Sequence, residues 1–178
     1  MKYLIRVRCD EVEGFRRDIL IDEESTFLDL SKVILESCGF PDDQMTSFYI
    51  CADNWERREQ ITREDCHELS SADQDLYTMA DTPLADFLDE GITRMEYVFD
   101  PFNERTFNLR VAEEEPGHGD PEIVRSVGKA PQQIADMDAT TAAILGGASI
   151  DLDNDFNDDL YTDDELDLDG FEISDGDF

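Results

Sequence analysis

A chain of 178 residues with 40 % hydrophobic residues has enough apolar material for one domain with a sizeable core, and its formal net charge is −32. All 14 Lys and Arg fall within residues 1–130, against 31 Asp and Glu; residues 131–178 hold 15 acidic residues and no basic one. That balance repels phosphate, since nucleic-acid affinity comes largely from Lys and Arg releasing counterions, so it argues against direct nucleic-acid or anionic-membrane binding. Along the chain, basic residues gather only in pairs such as Arg16–Arg17 and Arg57–Arg58.

The first residues, Met1 to Arg8, lack the apolar run of a signal peptide, and no later stretch approaches the roughly 20 apolar residues of a membrane span. Cys9, Cys38, Cys51 and Cys66 show no CxxC pairing, and three of them sit in apolar periodic segments. Buried, reduced thiols in a cytoplasmic protein are the expectation.

Residues 2–9 alternate, with Tyr3, Ile5, Val7 and Cys9 on one face and Leu4, Arg6 and Arg8 on the other, which is the period of a half-buried strand. Asp10–Gly14 reads as a turn, and Phe15, Arg17, Ile19 and Ile21 begin a second strand of a hairpin. A helix follows, with Thr26 as N-cap, Asp29 three residues on and Gly39 at its end; Phe27, Leu30, Val33 or Ile34, and Cys38 recur at helical spacing. Residues 45–52 form a third strand, and the polar stretch 53–81 is long for a loop, which argues for local structure or functional exposure. Thr82-Pro83 predicts a short helix with Thr as cap, Leu84, Phe87 and Leu88 inward and Gly91 at its end. Arg94–Asp100 and Glu104–Glu113 make a second hairpin across Pro101-Phe102-Asn103, its core supplied by Tyr97, Phe99, Phe107, Leu109 and Val111. After the loop 116–121, Glu122–Val127 reads as an edge strand.

This order predicts an α+β protein: a β-grasp-like mixed sheet with one main helix packed across it, plus a disordered acidic C-terminal tail. The expected divisions are a folded domain over 1–133, a short helix and linker over 134–150, and the tail over 151–178.

Residues 1–133 resemble the plasmid pRiA4b open-reading-frame-3-like family, particularly its Bacteroidetes branch. The resemblance rests on Thr26-Phe27-Leu28-Asp29-Leu30 with Gly39-Phe40, on Met45 to Cys51 leading to Asn54-Trp55-Glu56, on Leu84 to Leu88, on Tyr97-Val98-Phe99-Asp100 and on Gly128 to Gln132. These segments mostly make the fold. The resemblance therefore implies an α+β fold and no established reaction. Many members look like they carry a Phe-Gly-Asp-Asp-Trp turn where this chain has Phe99 to Asn103, and others paired Cys where it has Ala130 to Gln133; a site built from those features is not intact here.

No catalytic, metal or cofactor signature stands out. Cys66, His67 and the distant His118 lack the four paired ligands of structural zinc. Asp151, Asp153 and Asp155 fit the start of an EF-hand loop, but Phe156 stands where the turn needs Gly and Thr162 where the last ligand needs Glu. There is no nucleophile elbow and no Gly-rich phosphate cradle.

Two binding readings remain. Trp55, beside Arg57 and Arg58, is either an exposed aromatic anchor or a half-buried ring sealing the sheet edge with Arg stems packed beside it. In the tail, Ile134, Met137, Thr141, Ile144 and Leu145 fit one face of a short helix, and beyond them 13 carboxylates are threaded with Leu152, Phe156, Leu160, Phe171 and Phe178. Leu152, Phe156 and Leu160 lie four apart, which would align them on a helix against a partner groove. The acidic tip ending in Phe178 resembles the tails of bacterial single-stranded-DNA-binding proteins. The sequence thus points to a non-enzymatic interaction module whose acidic, aromatic-containing tail engages a basic surface, on a protein partner or on its own domain. The alternatives are a small-molecule or enzymatic site in loops 53–81 and 101–121 with a solubilising tail, and an acidic nucleic-acid mimic.

Overall fold

The computed structural model describes residues 1–64 and 77–135. The chain divides into a first unit, Met1–Asp136, and a second, Met137–Phe178, which lies outside the described residues.

Among the described residues, eight strands form one mixed sheet: β1 Lys2–Arg8, β2 Arg16–Asp22, β3 Ser47–Cys51, β4 Arg57–Thr62, β5 Tyr77–Thr78, β6 Arg94–Asp100, β7 Arg105–Glu115 and β8 Glu122–Val127. Their order across the sheet is β5-β4-β3-β6-β7-β1-β2-β8, antiparallel everywhere except between β4 and β5. The alternation of residues 2–9 has its expected effect: Tyr3, Ile5, Val7 and Cys9 are buried, and Arg6 and Arg8 emerge on the opposite face. Glu122–Val127 is an edge strand, paired to β2 and exposed at all six residues.

One main helix, α1 (Phe27–Cys38), lies across one face of the sheet. Its start is a capping box. The Asp29 N–H donates to Thr26 Oγ1 at 3.2 Å, and the Thr26 N–H donates to the Asp29 carboxylate at 3.1 Å. Its end is Gly39 at φ 71°, a left-handed residue whose N–H donates back to the Glu36 carbonyl. The helix buries Phe27, Leu30, Ile34 and Leu35, and Ser31 joins its hydroxyl to that of buried Tyr97 at 2.7 Å. Beneath it, aromatic rings knit neighbouring strands together: Phe99 stacks on Phe107 at 4.3 Å, and Phe48 meets Tyr97 at 4.6 Å and Phe27 at 5.2 Å.

One expectation changes. Thr82 does not cap a helix. The short α2 (Ala85–Leu88) starts at an N-cap of Leu84 with no side-chain cap, while Thr82 is buried and its carbonyl accepts from the Phe27 N–H at 3.1 Å. Tying this segment to the entrance of α1 commits Thr82 to the tertiary structure and delays the turn. Stretch 53–81 carries the local structure that its length argues for, since β4 and β5 extend the sheet from it.

Arg17 occupies a core-facing position of β2 and is 5 % exposed. Its guanidinium stacks on Phe15 at 4.5 Å and donates to the carbonyls of Ser37 at 3.0 Å, Arg16 at 2.9 Å and Val127 at 2.7 Å. One side chain therefore bonds the last turn of α1 and the end of β8. The buried cation is compensated by the carbonyls that its Nε and Nη1 groups meet and by the ring of Phe15.

Candidate functional site

The face of the sheet opposite α1 is polar, and its register builds a basic cleft from side chains far apart in sequence. Arg94 pairs with Arg110 across β6 and β7, and Arg110 with Arg6 across β7 and β1. Three arginines thus lie in one row over three adjacent strands, where like charges directly opposite destabilise a sheet. In the next row, Glu96 pairs with Asn108 and Asn108 with Arg8. Arg6, Arg8, Asp10, Trp55, Glu96, Asn108 and Arg110 line a cleft of about 570 Å³. The arginine pairs noted along the chain, Arg16–Arg17 and Arg57–Arg58, are surpassed by this grouping, which needs the strand order to exist.

Trp55 is the wall of the cleft. It sits in the β3–β4 hairpin, where its N–H donates to the Ala52 carbonyl at 2.9 Å and the Ala52 N–H donates to the Glu56 carbonyl at 2.9 Å. Its φ is +66°, a left-handed conformation that a bulky residue rarely adopts. Held there, the half-buried indole takes the guanidiniums of Arg94 at 5.5 Å and Arg110 at 5.9 Å over its ring. Its chain neighbours go elsewhere. Arg57 lies over the Tyr49 ring at 4.3 Å and donates to Glu96 at 2.6 Å, and Arg58 is exposed.

The charges of the cleft are unevenly committed. Glu96 is taken by Arg57, and Asp10 accepts from Asn108 Nδ2 at 2.8 Å. Arg6 and Arg16 both bind Asp18. Burial would push that carboxyl up, but the two guanidiniums hold it below the usual carboxylate range. Among the described residues, Arg8, Arg94 and Arg110 have no carboxylate partner. The cleft therefore offers unpaired guanidiniums beside an aromatic face, in a chain that is otherwise strongly acidic.

The remaining candidates fall elsewhere. Leu152, Phe156, Leu160, Phe171 and Phe178 lie outside the described residues, as do Cys66 and His67. His118 reaches Asp22 at 3.0 Å, with Glu24 close enough to complete a group of three ligand types. Asp22 already accepts from the Glu24 and Gly119 N–H groups, so this cluster clasps the 116–121 loop to β2. Cys9, Cys38 and Cys51 are free thiols raised above their ordinary pKa by burial, Cys51 to about 11, which keeps them protonated and unreactive.

A family model described as plasmid pRiA4b ORF-3-like protein matches residues 3–141. The chain belongs to this family. No curated protein matches. A solved structure, a protein of unknown function (MM3350) from Methanosarcina mazei Go1, is similar to 70 % of this chain over 68 % of its own, with a TM-score of 0.56 and 18 % identity. At that identity the likeness concerns the fold alone. The function of the family is uncharacterised, so the reading of the cleft rests on its own residues. Among the described residues, no helix is long and apolar enough to cross a membrane.

Proposed function

We propose that this family member is a protein-interaction module whose open sheet face captures an acidic segment of a partner protein in the arginine–tryptophan cleft. The observation that carries this reading is the convergence of two destabilising features at one place. A row of three opposed arginines and a tryptophan in left-handed backbone both cost folding free energy, and such costs are typically retained where binding needs them. Carboxylates suit the guanidiniums because two parallel N–H···O bonds match their geometry, and the low charge density of an extended acidic peptide fits an open cleft. Asp10 and Glu96 in the cleft lining disfavour a dense polyanion such as nucleic acid. By the same chemistry, the acidic C-terminal residues with Leu152, Phe156, Leu160, Phe171 and Phe178 are proposed as ligands for basic surfaces, on a partner or on this chain itself.

Trp55 is the only tryptophan in the chain, so its emission reports on the cleft. Titration with hexa-aspartate should change that emission saturably. Calorimetry should give an affinity about tenfold weaker for Arg110→Gln, the loss of roughly one charge-assisted hydrogen bond, and weaker again for the protein in 0.5 M salt. An absence of saturable change, or an equal response to hexa-lysine, would end this reading.

A further inference from the structure

The strand register fixes how many cations the arginine–tryptophan cleft gathers and how many of them its own carboxylates neutralise. Arg94, Arg110 and Arg6 stand in one row over β6, β7 and β1, and Arg8 follows two residues along β1 on the same face. Asp18 is shared by Arg6 and Arg16, so one carboxylate serves two guanidiniums. Glu96 is matched by Arg57, and Asp10 accepts from the neutral amide of Asn108. Among the described residues, Arg8, Arg94 and Arg110 have no carboxylate partner. Even with Asp10 set against it, the positive charge left over exceeds what one Asp or Glu side chain can neutralise. Scarcity of partners is not the reason, since the chain has 46 Asp and Glu against 14 Lys and Arg. With carboxylates so abundant, a site satisfied by any one of them would discriminate poorly.

The hydrogen-bond donors also outnumber the acceptors of a single carboxylate. Arg94 and Arg110 meet the Trp55 ring without donating a hydrogen bond to it, which leaves their N–H groups for a ligand. Asn108 Nδ2 gives one N–H to Asp10 and has a second. A carboxylate has two oxygens in one plane and fits one guanidinium fork. A phosphomonoester presents three terminal oxygens, carries about −1.5 to −2 charge at pH 7 and can bridge several arginines. We infer that the acidic segment taken by this cleft carries a phosphorylated side chain, its phosphomonoester bound among Arg8, Arg94 and Arg110 beside Trp55. This inference rests on the acidic-ligand reading above and names the anion within it. One compact dianion differs from a nucleic-acid backbone, whose repeated phosphates would have to pass Asp10 and Glu96. The cleft of about 570 Å³ is much larger than a free phosphate fills, so the phosphate is read as one group on a partner protein's extended segment.

The test uses the full chain and two peptides of equal formal charge, Asp-Asp-phosphoserine-Asp-Asp and hexa-aspartate. Affinities are read by calorimetry and by Trp55 emission. The phosphopeptide should bind about tenfold tighter, the gain of roughly one more charge-assisted hydrogen bond. The charged groups facing the site, Arg6, Arg8, Arg94, Arg110, Asp10 and Glu96, include no histidine, so a change between pH 7.5 and 5.5 follows the ligand. Over that interval the phosphopeptide should weaken about fourfold as its second ionisation near pH 6 is reversed, and hexa-aspartate less than about twofold. Arg8→Gln, a change at an exposed position, should reduce the preference below about threefold, because the carboxylates of hexa-aspartate regroup on the remaining guanidiniums and the dianion loses one of its own. Inorganic phosphate alone should bind at least about tenfold more weakly than the phosphopeptide. Equal binding of inorganic phosphate would assign the cleft to the free ion and overturn the inference. Equal affinities of the unaltered protein for the two peptides would overturn it and leave acidic capture standing, as would a preference that survives Arg8→Gln. Failure of both peptides to bind would remove the underlying reading as well.

Discussion

Trp55 stands against local backbone preference. Its position in the β3–β4 hairpin has left-handed backbone, which costs a non-glycine residue about 1–2 kcal/mol. Stacking of Arg94 and Arg110 on the indole returns about 0.5–1 kcal/mol per contact at a half-exposed site. The two contributions nearly cancel. Trp55→Gly should therefore change the stability measured by urea unfolding by no more than about 1 kcal/mol, while binding of acidic peptide to the variant is lost in calorimetry. A loss of 3 kcal/mol or more would mean that Trp55 is held for packing. In the sequence, Trp55 drew attention beside Arg57 and Arg58, yet the arginines that meet it come from β6 and β7. Nothing local to Asn54-Trp55-Glu56 announces that.

Among the elements, α1 is the one whose ends and buried stripe are most legible, because caps and helical spacing act within a few residues. Thr26, Asp29 and Gly39 perform the roles their types suggest. What anchors the helix to the sheet is less legible. Arg17 stands in the apolar phase of β2, and only the approach of the α1 C-terminus and of β8 gives its donors their carbonyls. Arg17→Met would keep the packing on Phe15 but strand those carbonyls, at a cost of about 2–3 kcal/mol in urea unfolding. Amide exchange in β8 should accelerate more than in β6, since β8 is an edge strand tied on one side only. Equal acceleration in both strands would show that Arg17 does not act through β8. The short α2 makes the complementary point, for its start is set by the backbone contact of Thr82 with Phe27 and not by the side chain at its cap.

At the scale of the molecule, two electrostatic effects oppose each other as pH falls. A net charge of −32 repels itself, and protonation toward the isoelectric region near 4.1 relieves that repulsion. Asp18, Asp22 and Asp100 work the other way. Burial pushes each carboxyl up, but Arg16 and Arg6 on Asp18, the Glu24 and Gly119 N–H groups with His118 on Asp22, and Asn103 with Arg105 on Asp100 hold all three below their ordinary value. A carboxyl lowered in the folded state binds its proton first in the unfolded chain. Its stabilisation is present above the ordinary aspartate value of about 3.9 and is lost as pH falls through the lower folded value. The thermal midpoint should therefore rise from pH 8 toward about pH 5 and fall steeply below about pH 3.9. Adding 0.5 M salt should flatten the first limb and leave the second, because exposed repulsion is screened far more than buried pairs. A midpoint that declines steadily from pH 8 downward would contradict this balance.

The sequence by itself determined the class of the fold, the cores of its strands, the ends of α1 and the concentration of negative charge after residue 130. These properties depend on side-chain periodicity, capping and composition, which act over a few residues and can be read along the chain. It also disclosed that Arg6 and Arg8 share the face of β1 opposite the core, without showing that Arg94 and Arg110 meet them there. Only the tertiary structure decided that, because their adjacency depends on β1 pairing with β7 and β7 with β6 in one particular register, and a slip of one residue would turn each arginine toward the core.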